Sequence, residues 1–207
     1  STSLCAGLAP AGTYQPHVLG VEARPCPSGG YCEGGGSQPL SCPQGTWQPH
    51  QNVSSAEGCL PCQPGFWCTA GERIGCKRGF YNPSTNAASQ TACVPCRPQS
   101  NTRTAASTHV EDCRCDAHFF RPNVSLGVVE CEPCGVGFDC PTAGTTLQTL
   151  MTWPGYWRPS ALSLDVRRCP DAGTKCALGL SGHRCNESSL SGCTGGTRPC
   201  RPGLGGP

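Results

Sequence analysis

One set of cysteine intervals recurs along the chain and limits what it can fold into. Cys26 and Cys32, Cys62 and Cys68, and Cys134 and Cys140 are each six residues apart; Cys42 and Cys59, Cys76 and Cys93, and Cys96 and Cys113 are each seventeen apart. Cys59 and Cys62, Cys93 and Cys96, and Cys131 and Cys134 are three apart. Counted from Cys26, Cys62, Cys96 and Cys134, the units are 36, 34 and 38 residues long. A period of that size marks stacked small units rather than one large core.

Composition says how such units can be held together. With 207 residues, 20 cysteines, 28 glycines, 21 prolines and 36% hydrophobic residues, the chain lacks the apolar material for a conventional interior of its size. Disulfides must take that place, and an even, dense set of cysteines implies an oxidising compartment. The chain is therefore expected to be secreted or on the extracellular face of a membrane. Asn52-Val53-Ser54, Asn123-Val124-Ser125 and Asn186-Glu187-Ser188 are N-glycosylation acceptors consistent with that compartment, whereas Asn82 precedes Pro83 and does not qualify.

A net charge of +2 without basic or acidic runs gives no support to nucleic acid or anionic membrane as partners. No apolar stretch approaches the roughly 18 residues of a membrane span. The chain reads as a mature or excised piece whose secretion signal, and any anchor, lie outside it.

Residues 1–25 read as a degenerate first module. Pro10 to His17 (PAGTYQPH) matches Pro43 to His50 (PQGTWQPH), placing Ala9 where Cys42 stands and Ala23 where Cys59 stands. Loss of two cysteines together favours Cys42 and Cys59 as a bonded pair, since a single leftover thiol is a liability in an oxidising compartment. By repetition Cys76 pairs with Cys93, Cys96 with Cys113 and Cys115 with Cys131, and Cys62 is paired with Cys68. The divisions that follow are 26–61, 62–95 and 96–133 as cysteine-rich modules and 134–207 as a divergent region with a flexible tail.

Within each long interval the order is glycine with two aromatics, then proline with small polar residues, as in Gly79-Phe80-Tyr81-Asn82-Pro83-Ser84. That order predicts an irregular hairpin stapled at its base. Asn52 and Asn123 fall near the far ends of their hairpins, where a glycan leaves the staple undisturbed. The fold class is small and disulfide-rich: tandem irregular β-hairpin modules in an elongated rod, with little helix. The aromatic pairs Phe66 and Trp67, Phe80 and Tyr81, Phe119 and Phe120, and Tyr156 and Trp157 are read as the miniature core, together with the disulfides. The competing reading turns one ring of each pair outward for a ligand.

From Cys76 to Cys131 the pattern is Cys76-Lys77-Arg78-Gly79-Phe80-Tyr81, Cys93-x-x-Cys96, Cys113-Arg114-Cys115, Phe119-Phe120-Arg121-Pro122 and Cys131. It resembles the cysteine-rich region of ephrin receptors and is similar in architecture to tumour-necrosis-factor-receptor repeats and epidermal-growth-factor-like modules. The resemblance covers residues 26–140. Members include receptors, secreted matrix proteins and protist surface proteins, so it implies a fold more than a function. It also raises an alternative ladder of Cys76 with Cys96 and Cys93 with Cys113. Gln99 and His118 depart from the pattern, each standing where the repeat has glycine.

Past Cys140 the pattern loosens. Residues 141–152 read as a linker or short strand, and Thr152 stands where the hairpin ending at Cys169 would open with a cysteine. Cys169 is expected to pair with Cys176; the partners of Cys5, Cys185, Cys193 and Cys200 stay open. The segment GYWRPSALSLDVRRCPDAGTKC resembles one that follows tandem modules in large protist surface proteins.

Cys93, Cys96, Cys113 and Cys115 approach zinc-ribbon spacing but belong to a glycosylated, oxidised chain, so zinc is set aside. His17 and His50 share a repeat position inside a turn and are read as structural, as are His109, His118 and His183. Glu111 and Asp112 supply too few oxygens for calcium. No cofactor, metal or catalytic residue is expected, and the chain is not expected to be an enzyme. The functional expectation is an extracellular structural or adhesive scaffold in a surface or matrix assembly, with other extracellular proteins or further copies as partners. The alternative is a receptor ectodomain binding a protein ligand, which would show an exposed apolar patch in residues 141–200.

Overall fold

The computed structural model describes residues 9–16, 22–35, 38–123 and 127–168. Cys5, His17, Cys169, Cys176, His183, Cys185, Asn186, Cys193 and Cys200, with the pairings and glycan proposed for them, lie outside the described residues.

Among the described residues, nine two-stranded antiparallel hairpins follow one another in sequence. The first five join Thr13–Tyr14 to Arg24–Pro25, Gly30–Tyr31 to Leu40–Ser41, Thr46–Trp47 to Leu60–Pro61, Phe66–Thr69 to Glu72–Gly75, and Phe80–Tyr81 to Val94–Pro95. The sixth joins Ser100–Thr102 to Cys113–Cys115. The last three join Phe119–Phe120 to Glu132–Pro133, Phe138–Asp139 to Met151–Thr152, and Tyr156–Trp157 to Arg167–Arg168. The only helix among the described residues is three single 3-10 turns, Ala56–Gly58, Gln90–Ala92 and Val110–Asp112. Pro25, Pro61, Pro95 and Pro133 each end a second strand, which is permitted because in a two-stranded ribbon every strand is an edge.

Every hairpin opens on the same turn. In the third, the Thr46 amide donates to the Pro43 carbonyl at 3.1 Å; in the fifth, Phe80 donates to Lys77 at 3.1 Å. The residue before that donor is left-handed: Gly12, Gly29, Gly45, Gly65, Gly79, Gly137 and Gly155 have φ between 81° and 87°. Glycine is at home there, whereas any other residue is strained by about 1–2 kcal/mol. The carbonyl of this residue then accepts the amide of the residue just past the second strand, as in Cys62 to Gly45 at 2.9 Å, Cys96 to Gly79 at 2.8 Å and Trp153 to Gly137 at 2.9 Å. The turn thus fixes both ends of a strand pair only two residues long.

Gln99 and His118 hold this left-handed place without being glycine, at φ 58° and 70°. Both are exposed. Replacing either with glycine is expected to stabilise the protein by about 0.5–1 kcal/mol, the relieved strain less the extra chain entropy glycine brings to the unfolded state. Denaturant titration of the disulfide-bonded protein checks this, and a loss of stability in both variants would show that the side chains are doing something the backbone is not.

The disulfides among the described cysteines include Cys26–Cys32, Cys42–Cys59, Cys62–Cys68, Cys76–Cys93, Cys115–Cys131 and Cys134–Cys140. Cys96 and Cys113 are also disulfide-bonded. The Cys76–Cys93 bond excludes the growth-factor-like ladder, which needs Cys76 joined to Cys96. Bridges are of two kinds, one closing the short strand-turn within a hairpin and one stapling a hairpin's base. By the chain-entropy model a loop of about 15 residues is worth roughly 3 kcal/mol.

The chain forms two compact units, residues 1–96 with 102–112 and residues 97–101 with 113–207. In the first, the described buried apolar residues are cysteines together with Ala9 and Ala87. In the second, Phe120, Phe138, Cys140 and Leu150 form a small carbon core, with Cys134, Leu147 and Val166 packed on it. This core lies in the seventh and eighth hairpins beside the Cys134–Cys140 bridge, and Thr152, which stands in place of an opening cysteine for the ninth, is buried.

The aromatic pairs are less central than expected. Phe66, Trp67, Phe80, Tyr81, Phe119, Tyr156 and Trp157 are half-buried, and Phe120 alone of the eight is fully buried. Bridges and one further residue per hairpin occupy the interior that the rings were expected to fill.

Candidate functional site

The feature most able to carry function is the periodic seam between hairpins. Within the first unit, the left-handed residue of each hairpin donates its amide to the sixth residue after the opening position of the next. Gly12 donates to Cys32 at 2.8 Å, Gly29 to Gln48 at 2.7 Å, Gly45 to Cys68 at 3.0 Å and Gly65 to Asn82 at 2.7 Å. At Gly79 the acceptor is the Thr102 hydroxyl, at 2.9 Å. That sixth residue passes its own amide onward: Cys32 to Val53 at 2.9 Å, Gln48 to Gly71 at 3.1 Å, Cys68 to Ala87 at 2.8 Å and Asn82 to Ser107 at 3.0 Å.

A return contact completes the seam. A left-handed residue further along each hairpin reaches back to the preceding opening cysteine: Asn52 to Cys26 at 2.9 Å, Asn86 to Cys62 at 2.8 Å and Ala106 to Cys76 at 2.8 Å. The carbonyls of those same residues lie against Gly12, Gly45 and Gly65, two hairpins back, where a Cβ would collide with backbone. The opening glycine is thus required twice, for its φ and for the carbonyl pressed on it. The second unit repeats the motif, with His118 donating to Cys140 at 2.8 Å, Arg121 to Thr145 at 2.9 Å and Gly144 to Cys115 at 2.7 Å.

The sixth position escapes sequence reading because its chemistry changes from copy to copy. It is half-cystine at Cys32, Cys68 and Cys140, and polar at Gln48, Asn82, Thr102, Arg121 and Arg158. Of the polar set all but Arg121 are fully buried. Each bonds to main chain: Asn82 Nδ2 donates to the Phe66 carbonyl and its Oδ1 accepts from Ser84 N, at 2.8 and 2.9 Å. Gln48 donates to the Gly58 carbonyl and accepts from His50 N. Arg121 donates to the Asn123 and Val128 carbonyls at 3.0 and 2.9 Å. One signal was available: six residues past each opening position stands a cysteine or a hydrogen-bonding residue, never an aliphatic one.

Other residues singled out from sequence have local roles. Asp112 Oδ2 accepts from Thr108 N and His109 N, both at 2.9 Å, so it caps the 3-10 turn before Cys113. His50 and His118 are apart in sequence and have turn positions; His109 Nδ1 lies 2.6 Å from the Thr108 hydroxyl. Among the described residues no group of three His, Cys, Asp or Glu side chains is placed to hold a metal ion. The four zinc-ribbon-spaced cysteines are all in disulfides. A shallow cleft beside the Cys76–Cys93 bridge is lined by Trp67, Ile74 and Phe80 with Lys77 and Gln90, and contains no carboxylate.

On the surface, Arg73 lies over Trp47 at 4.0 Å and Phe66 at 4.5 Å, so one guanidinium bridges the third and fourth hairpins. The second, third and fifth hairpins each expose one aliphatic residue, Leu40, Leu60 and Val94, directly across from an aromatic: Tyr31, Trp47 and Tyr81. In the second unit Val136, Met151, Trp153, Leu162 and Leu164 are exposed. Asn52 and Asn123 are exposed.

No helix of the described residues is long and apolar enough to cross a membrane. Compared with known proteins, the chain matches no family model and no curated protein.

Proposed function

We propose that this chain is an extracellular structural or adhesive scaffold, part of a surface or matrix assembly, built of modules of the ephrin-receptor-like type. The main-chain seam supports the reading best. Successive hairpins are held together by backbone bonds and most are stapled by sulphur, so the array grows by repetition with no need of a large core. Such an array supplies spacing, resistance to proteolysis and a long lateral surface. Its partners are other extracellular proteins or further copies of the same assembly, and its compartment is the one that keeps disulfides oxidised.

Thiol titration and trypsin digestion test this together. The native protein is expected to show essentially no free thiol and to survive trypsin despite its 15 lysines and arginines, and to be degraded quickly once reduced. Mostly free thiols, or bound zinc in stoichiometric amount, would overturn both the compartment and the scaffold role.

A second reading, a receptor ectodomain, is favoured by one observation. Met151, Trp153, Leu162 and Leu164 are exposed within the stretch where the repeat pattern breaks. Under that reading Met151→Ser with Trp153→Ser abolishes adhesion of cells or matrix to the immobilised chain. Under the scaffold reading adhesion survives the pair of substitutions, because contacts are shared among the repeated hairpins.

A further inference from the structure

Among the described residues, Asn52 is the one left-handed return residue that also begins a glycosylation acceptor. Its equivalents are Asn86, followed by two alanines, Ala106 and Gly144. At φ 64° its main chain is engaged on every side. Its amide donates to Cys26 at 2.9 Å, the next carbonyl, of Val53, accepts from Cys32 at 2.9 Å, and its own carbonyl is pressed on Gly12. The side chains of Asn52 and Ser54 are by contrast exposed and make no hydrogen bond to the described residues. The acceptor thus has free side chains on a main chain built into the seam.

We propose that Asn52 carries an N-linked oligosaccharide and receives it before the third hairpin docks on the first and second. The inference rests on the extracellular reading above. In the transfer, the Asn52 amide nitrogen attacks C1 of the first sugar of a lipid-pyrophosphate-linked oligosaccharide. The new C–N bond forms as the C1–O bond breaks, the lipid pyrophosphate leaves with the electron pair, and the amide proton passes to a base of the transferase. A transferase that reads both the Asn52 amide and the Ser54 hydroxyl must enclose the backbone between them. That backbone is accessible in the undocked hairpin and is occupied by Cys26, Cys32 and Gly12 in the docked one. The finished glycan then stands on the exposed side chain and leaves the seam intact.

Pulse-labelling of the full chain in a vertebrate secretory host, with free thiols trapped by alkylation and peptides read by mass spectrometry, tests the order. Glycan is expected at Asn52 in molecules whose Cys42 and Cys59 are still alkylated. Asn52→Gly, which keeps the left-handed conformation available, is expected to remove one glycan and leave the disulfide map unchanged. Glycan confined to molecules with Cys42–Cys59 already closed overturns the order. Secreted, disulfide-bonded protein without glycan at Asn52 overturns the site while leaving the extracellular reading standing. Secreted protein with free thiols sinks that reading itself.

Discussion

Alanine at Gly65 is expected to lower the stability of the disulfide-bonded protein by about 2–3 kcal/mol, summed from two causes. The left-handed backbone, φ 84°, strains an L residue by about 1–2 kcal/mol. The new Cβ would also run into the Ala106 carbonyl, which is backbone and cannot rotate away. Moving it lengthens the 2.8 Å bond from the Ala106 amide to the Cys76 carbonyl, worth about 1 kcal/mol. Gly35 separates the two causes. It is left-handed at φ 74° with no atom near its would-be Cβ, so Gly35→Ala should cost only the first part, about 1–2 kcal/mol. Denaturant titration under oxidising conditions measures both. Equal losses in the two variants would mean that the seam contributes nothing beyond turn geometry.

Why the opening motif is legible in sequence while the seam is not follows from the same residues. Cys-x-x-Gly recurs because a left-handed turn and a half-cystine admit almost no substitutes. It predicts the hairpins, and where Gln99 and His118 depart from it the backbone still takes the left-handed form. The sixth residue works through position instead. Cys32, Gln48, Asn82, Thr102 and Arg158 share no size, charge or hydropathy, only a capacity to fill a small interior or to satisfy main chain there. Aromatic residues invite the opposite error. Their size marks them as core by ordinary reasoning, yet a hairpin with strands of two residues has too little interior for a ring, and most stay half-buried. Among the described residues, only in the second unit do larger carbon side chains, Phe120, Phe138 and Leu150, join a half-cystine, Cys140, in the interior.

Arg158 is the most deeply buried charged side chain among the described residues of the second unit. It is 1% exposed, and its guanidinium donates to the Leu147 and Ala161 carbonyls at 2.9 Å and to the Leu150 carbonyl. It also lies 5.9 Å from the Phe138 ring centroid, so one cation ties the loop before the ninth hairpin to the carbon core. Truncation to alanine leaves three acceptors short of a donor and opens a cavity, and is expected to cost about 4 kcal/mol. Methionine fills much of the volume without restoring a donor, so Arg158→Met should recover about 1 kcal/mol of that loss. Lysine returns the charge and part of the bonding, and Arg158→Lys is expected to be the mildest of the three. If Met proves milder than Lys, volume rather than carbonyl satisfaction is what the site requires. The pH response adds a separate check. Burial lowers the guanidinium pKa from its ordinary value through desolvation, so the unfolded chain holds the proton more tightly than the folded one. Stability attributable to this group therefore rises with pH in a strongly alkaline window and is flat around neutrality. The difference between wild type and Arg158→Met is expected to stay constant from about pH 5 to 9, where arginine stays protonated in both folded and unfolded chains.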